Sequence, residues 1–169
     1  YYSGGNMRQW CQDKDATARL VAAHKVAEAV RFLHAHGVLH RDLKPENIVF
    51  KGDAPDATPA LCDFDLSVST IETAERTMQR GTPLYLAPES TPSTASDVFA
   101  LGVTLLDVMI CDGDQERLRQ TLAPGGCKIE ALKRVRGELG RRTKDAELAA
   151  LISSMLAPEP AERLVAAAV

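Results

Sequence analysis

The sequence predicts a mainly helical domain with one small β-hairpin. Three observations carry that reading. From Asp13 to His36 the apolar residues Leu20, Ala23, Ala27 and Val30 recur at helical spacing. From Val98 to Ile110 the chain is apolar nearly all round, as expected of a helix at the centre of a core. Ile48-Val49-Phe50 and Ala60-Leu61-Cys62 are short strand-formers joined by the turn-rich KGDAPDATP.

The elements follow in order. Asp13 and Asp15 suit the start of the first helix and Gly37 its stop. His34 shares its apolar face, and Val26 and Leu33 widen it. In the next stretch the Lys44-Pro45 step forbids a continuous helix, because proline lacks the N–H and restricts the residue before it. Residues 63–96 are rich in Ser, Thr and Pro and predict no regular element, only a long functional or disordered loop. Asp97 to Ile110 is the central helix. Gln115 to Leu122 is a short helix ended by Ala-Pro-Gly-Gly, and Lys128 to Glu138 is another. In Asp145 to Leu156, Leu148, Leu151, Ile152, Met155 and Leu156 repeat at helical spacing, and Pro158 closes the element. No internal repeat is present.

The length of 169 residues fits one domain, and a 45% hydrophobic share predicts a real core rather than disorder. A net charge of −3 argues against a general nucleic-acid or anionic-membrane binder. The longest apolar stretch is interrupted by Gly102, Thr104 and Asp107 and is too short for a bilayer. The opening YYSGGNMRQW lacks the basic and apolar regions of a signal peptide. Cys11, Cys62, Cys111 and Cys127 form no C-x-x-C pair, which predicts reduced thiols in a cytoplasmic or nuclear protein.

The informative residues are His40-Arg41-Asp42-Leu43-Lys44-Pro45-Glu46-Asn47, then Asp63-Phe64-Asp65, then Gly81-Thr82-Pro83-Leu84-Tyr85-Leu86-Ala87-Pro88-Glu89, then Ser96 to Gly102. In this order they resemble the C-terminal lobe of a eukaryotic protein kinase, over residues 1–169. DLKPEN resembles the serine/threonine class, and PENIVF…LCDFDLS looks like the calcium/calmodulin-dependent group. The implied activity is transfer of the ATP γ-phosphate to a Ser or Thr hydroxyl of a protein substrate, with Mg²⁺.

The residue types suit that chemistry. Asp42 is a carboxylate able to orient or accept the proton of a hydroxyl, and Lys44 brings a positive charge to the moving phosphoryl group. Asn47 and Asp63 are hard oxygen ligands for Mg²⁺, brought to one end by the hairpin. By resemblance, Thr82 bridges Asp42 and Lys44, Glu89 pairs with Arg163, Asp97 binds the backbone of the 40–47 loop, and His40 and Phe64 join a hydrophobic spine. Tyr1 to Met7 is similar to a hinge: Tyr2 offers backbone groups to adenine, Met7 and Val49 form part of its floor, and Lys44 faces the phosphates. Asn6 stands where basophilic relatives often carry Glu, while Glu46 favours a basic residue two before the acceptor. Arg41 suggests control by an upstream activating kinase, with Thr77 the preferred acceptor ahead of Thr70 and Thr73.

The sequence also departs from the family pattern. It carries no glycine-rich phosphate loop, no VAIK-type lysine and no partner glutamate, so an absent N-lobe, a truncated final helix and an inactive fragment are expected. Asp65 replaces the usual glycine, as in the MAP-kinase-interacting kinases, and suggests a bias toward an inactive loop. The segment from Cys111 to Gln115 lacks the Pro-Pro-Phe-like turn. The alternative reading is a pseudokinase or truncated lobe that binds a partner through the groove near Pro83 and the 113–144 region. A small-molecule phosphotransferase is disfavoured by the GTPxYxAPE stretch.

Overall fold

A computed structural model describes residues 2–69, 81–89, 91–122 and 128–163. The long helix α2 (Ala16–Ala35) and the central helix α3 (Thr94–Leu105) form the middle of the core. Around them lie α1 (Met7–Trp10), α4 (Gln115–Leu122), α5 (Lys128–Arg142) and α6 (Ala146–Met155). Two small antiparallel sheets complete the described residues: β2 (Ile48–Phe50) with β3 (Pro59–Leu61), and β1 (Val38–Leu39) with β4 (Val68–Ser69).

Helix starts follow side-chain caps. The Asp15 carboxylate accepts from the Ala18 amide at 2.8 Å, and Asp145 from the Leu148 amide at 2.9 Å. Ser93 and Ser96 form a reciprocal capping box, so α3 begins upstream of the predicted Asp97. Its last turn, Leu106–Ile110, widens to a π-helical turn. The buried face of α2 consists of Ala18, Ala22, Ala23, Val26, Ala27 and Val30, whereas Leu20 and Leu33 are only partly covered. Ala23, Val26, Ala27 and Val30 bear out the predicted face, and Ala18 and Ala22 extend it; α2 packs against β3 and α3.

The hairpin forms as expected, with β3 displaced by one residue. Other elements differ from expectation. The β1–β4 pair lies partly within a stretch where no element was predicted; two-residue strands leave no periodicity to read. Helix α5 runs on to Arg142, because Leu139 is buried and Arg142 pairs with Glu138 at 2.9 Å across one turn. The short helix α1 was also unforeseen. An Asn6–Gln9 capping box starts it, and Trp10 stacks on Phe50 at a centroid separation of 4.2 Å.

The opening segment runs along β2. Gly4 donates to the Phe50 carbonyl at 3.1 Å, and Phe50 donates back to that of Gly5 at 2.9 Å. A Cβ on Gly4 would stand 2.1 Å from the Gly52 carbonyl oxygen, so only glycine allows this approach.

Gly102 permits a second close approach, between α3 and α6. A Cβ there would meet the Met155 Cβ at 2.7 Å, an atom too near the backbone to swing aside. Gly102→Ala gains helix propensity of about 1 kcal/mol but overpacks a contact worth about 1–3 kcal/mol. Net destabilisation is expected. Gly137→Ala in α5 meets nothing within 4 Å and is expected to stabilise by roughly 0.5–1 kcal/mol. Urea unfolding of the two variants measures the opposite signs.

Candidate functional site

Leaving β1, the chain turns sharply at His40 and Arg41, and a carboxylate from α3 holds the turn. Asp97 Oδ2 accepts from the His40 amide at 2.8 Å, and Oδ1 from the Arg41 amide at 2.9 Å. The His34 ring meets Oδ2 at 2.9 Å through Nε2, so the histidine at the end of α2 braces Asp97. Arg41 adopts φ 71°, a left-handed conformation costly for a residue with a side chain, and the Asp97 bond offsets that cost.

This turn delivers Asp42 into a dense polar cluster. Its Oδ2 accepts from Lys44 Nζ at 2.6 Å, and its Oδ1 from the Thr82 amide and hydroxyl, each at 2.9 Å. Lys44 also donates to the Thr82 hydroxyl at 2.8 Å, so Thr82 bridges the acid and the lysine. Asn47 Nδ2 donates to the Asp42 carbonyl at 2.9 Å and to Oδ2 at 3.1 Å. Burial alone would raise the Asp42 pKa, but hydrogen bonds from Lys44 and Thr82 outweigh it and hold the carboxyl below the ordinary value. Gly81 must precede Thr82: its φ is 130°, and a Cβ there would lie 2.8 Å from the Arg41 carbonyl oxygen.

The hairpin register sets Asn47 against Cys62, whose amide donates to the Asn47 carbonyl at 2.9 Å. Asp63 follows Cys62 directly, with an exposed side chain and φ 63°. The positive φ therefore falls on Asp63 and not on Asp65, so the residue replacing glycine needs no left-handed backbone here. With its amide nitrogen turned to Asp42, Asn47 has its Oδ1 left as a hard donor, and Asp63 contributes a carboxylate. Among the described residues no three His, Cys, Asp or Glu side chains gather as a metal cage. That donor set fits Mg²⁺, which takes one or two protein ligands and completes its shell with phosphate and water.

The other expected positions are placed as follows. His40 is buried, bonds the Cys62 carbonyl at 3.1 Å and lies 5.0 Å from the Phe64 ring, although Phe64 is 44% exposed. Burial lowers the His40 pKa, keeping the ring neutral near pH 7. Tyr2 is exposed and Val49 partly so. Met7 has no exposed surface, because α1 turns it into the core. Burial raises the Cys62 thiol pKa, as does Asp63, against an activated thiolate. Thr70, Thr73 and Thr77 lie outside the described residues.

Glu89 and Arg163 pair in two parallel bonds, at 2.5 and 2.8 Å. Arg163 also donates to the carbonyls of Ala157, Ala95 and Pro158 and lies over the Phe99 ring at 4.9 Å, so it ties the 81–89 segment to α3 and to the chain just after α6. A third arginine was missed. Arg8 in α1 binds Glu46, Asp107 and Tyr85, residues far apart in sequence that carry no shared pattern. A cavity beside Asp42 is lined by Leu43, Thr82, Tyr85, Leu86, Pro92 and Ala100, among others.

Residues 1–169 match the protein kinase domain family. The chain is 44% identical over 98 residues to calcium-dependent protein kinase 9 of Oryza sativa subsp. japonica, covering 56% of this chain and 17% of that protein. It is 30% identical to calcium/calmodulin-dependent protein kinase type II of Caenorhabditis elegans, covering 97% of this chain and 24% of that protein. It is also 30% identical to the human type IV enzyme, covering 85% and 31%. The chain thus spans less than a third of the length of these relatives. Among the described residues, no helix is long and apolar enough to cross a membrane.

Lys128 gives a pH-dependent test of how the 81–89 segment is held. Its ammonium donates to the Leu86 carbonyl and sits 5.3 Å over the Phe99 ring. Burial pushes its pKa down from 10.5 to about 8, with Glu89 opposing. Unfolded chains therefore bind the extra proton between about pH 8 and 10, and stability rises with pH across that window. Lys128→Met is expected to abolish the rise, read from urea unfolding at a series of pH values.

Proposed function

Since the chain belongs to the protein kinase domain family, we propose that it forms the C-terminal lobe of a serine/threonine protein kinase, residues 1–169. Protein kinases in general use ATP and Mg²⁺. The observation carrying this reading is the Asp42–Lys44–Thr82–Asn47 cluster: an ionised carboxylate held by a lysine, a hydroxyl and an amide. Such a cluster is pre-arranged before any substrate arrives, and phosphoryl transfer depends chiefly on positioning and charge.

Asp42 aligns the substrate hydroxyl and takes its proton, since its depressed pKa keeps it ionised at neutral pH. Lys44 steadies Asp42 and presents positive charge to the transferred phosphoryl group. Thr82 fixes the acid and the lysine relative to the 81–89 segment, which the Glu89–Arg163 pair anchors. Asn47 Oδ1 and Asp63 hold Mg²⁺, which when bound supplies neutralisation of phosphate charge. Tyr2 backbone groups and the exposed part of Val49 receive the adenine, with Met7 beneath. The cavity beside Asp42 takes the protein substrate around its Ser or Thr acceptor. An upstream activating kinase acting at Thr77 remains part of this proposal through Arg41.

The test uses the full-length protein that carries this chain. Asp42→Asn is expected to lower phosphate transfer to serine peptides by about a hundredfold or more while keeping Mg²⁺-ATP binding. Asp63→Ala is expected to lose that binding, followed by calorimetry, and transfer with it. Mg²⁺-ATP binding that survives Asp63→Ala unchanged refutes the metal assignment. Absence of both binding and transfer in the unaltered protein favours the partner-binding pseudokinase.

A further inference from the structure

The Arg8 guanidinium is the hub of a polar cluster drawn from four segments. It meets Asp107 Oδ1 at 2.9 Å and Oδ2 at 2.8 Å, the Gly113 carbonyl at 2.7 Å, Glu46 Oε1 at 2.9 Å and the Tyr85 hydroxyl at 3.0 Å. The Tyr85 hydroxyl donates onward to Asp107 Oδ2 at 2.7 Å, and Gln115 Nε2 donates to the same Glu46 oxygen at 3.1 Å. The Asp107 side chain has no exposed surface and that of Arg8 only 16%. Glu46 is next but one to Lys44 and close to the acid that handles the acceptor hydroxyl.

Two carboxylates and a phenol converging in this way make a receptor for a guanidinium. Glu46 was expected to offer such a receptor to a basic residue of the substrate. Here the chain's own arginine fills it. The second Glu46 oxygen, Oε2, is buried without a hydrogen-bond partner among the described residues, although 36% of the Glu46 side chain is exposed. Displacing Arg8 would require a peptide to outcompete a group tethered at the site by α1.

We propose that Arg8 is a built-in occupant of the Glu46–Asp107–Tyr85 cation site and a specificity-determining residue, so that substrates need no basic residue two before the acceptor. This rests on the kinase reading above and narrows its substrate class to peptides neutral or acidic at that position. Besides Arg8, each carboxylate takes a neutral donor: Gln115 donates to Glu46 and the Tyr85 hydroxyl to Asp107.

Two peptides that differ only in arginine or alanine two before the serine test the proposal on the full-length protein. The two kcat/KM values are expected to agree within about threefold, and a preference for arginine of about tenfold or more overturns it. In Arg8→Ala the arginine peptide is expected to gain about tenfold or more over the alanine peptide. A folded variant without that gain also overturns it. Should Arg8→Ala fail to fold because Asp107 is left buried and unpaired, Arg8→Ala/Asp107→Asn replaces it. A thermal-shift titration with methylguanidinium provides a readout that needs no catalysis. Saturable stabilisation is expected in the vacated variant, weaker with methylammonium, and absent in the unaltered protein. Equal responses in both proteins overturn the proposal. Absence of transfer to either peptide counts against the kinase reading alone, and the titration then decides the role of Arg8.

Discussion

Asp97 sits inside the core with 2% of its surface exposed, and its two oxygens receive donors from His34, His40 and Arg41. A carboxylate so placed is costly unless its hydrogen bonds are satisfied. The two amides that satisfy it belong to the turn that carries Asp42. Arg41 can hold its left-handed backbone because Asp97 is anchored in α3, and α3 is fixed by α2 and α6. Placement of the acid thus rests on a rigid helix rather than on the loop itself, which is how short functional loops keep their geometry.

Three buried or half-buried cations then join segments that local sequence would leave separate. Lys44 links the loop to Thr82, Arg163 links Glu89 to α3 and to the chain just after α6, and Arg8 links α1 to Glu46, Tyr85 and Asp107. Such pairs contribute little net stability relative to a well-packed apolar core. Their effect is geometric: an arginine fork accepts only a narrow set of partner positions, and removing one partner strands the other in a dry site. The π-helical turn of Leu106–Ile110 matters for the same reason, because it contains Asp107, which meets both Arg8 and Tyr85.

Much of the fold was legible in the chain. The helices at 115–122 and 145–156, the hairpin and the order of motifs all carry local signals: periodicity, caps, turn residues. The Asp42–Lys44–Thr82 bridge and the Glu89–Arg163 pair were expected from resemblance, and the geometry contains both contacts. The extra turn at the start of α3, the length of α5, the β1–β4 pair and the full burial of Met7 were not legible. The β1–β4 pair and the burial of Met7 are set by neighbours distant in sequence, whereas the start of α3 and the end of α5 follow from the Ser93–Ser96 capping box and the Glu138–Arg142 pair.

Sequence alone determined the chemical inventory and part of the local punctuation: which residues carry acid, base and metal-ligand character, and where α4, α6 and the hairpin lie. Those properties depend on residue type and spacing within a few positions. Tertiary structure alone decided which charges meet. Arg8 and Asp107 stand far apart along the chain with no pattern to link them, and the pairing of Glu46 with Arg8 follows from how α1 packs beside the turn after α3. Pairing of buried charges is fixed by three-dimensional proximity and desolvation, and neither is a property of a local stretch of chain.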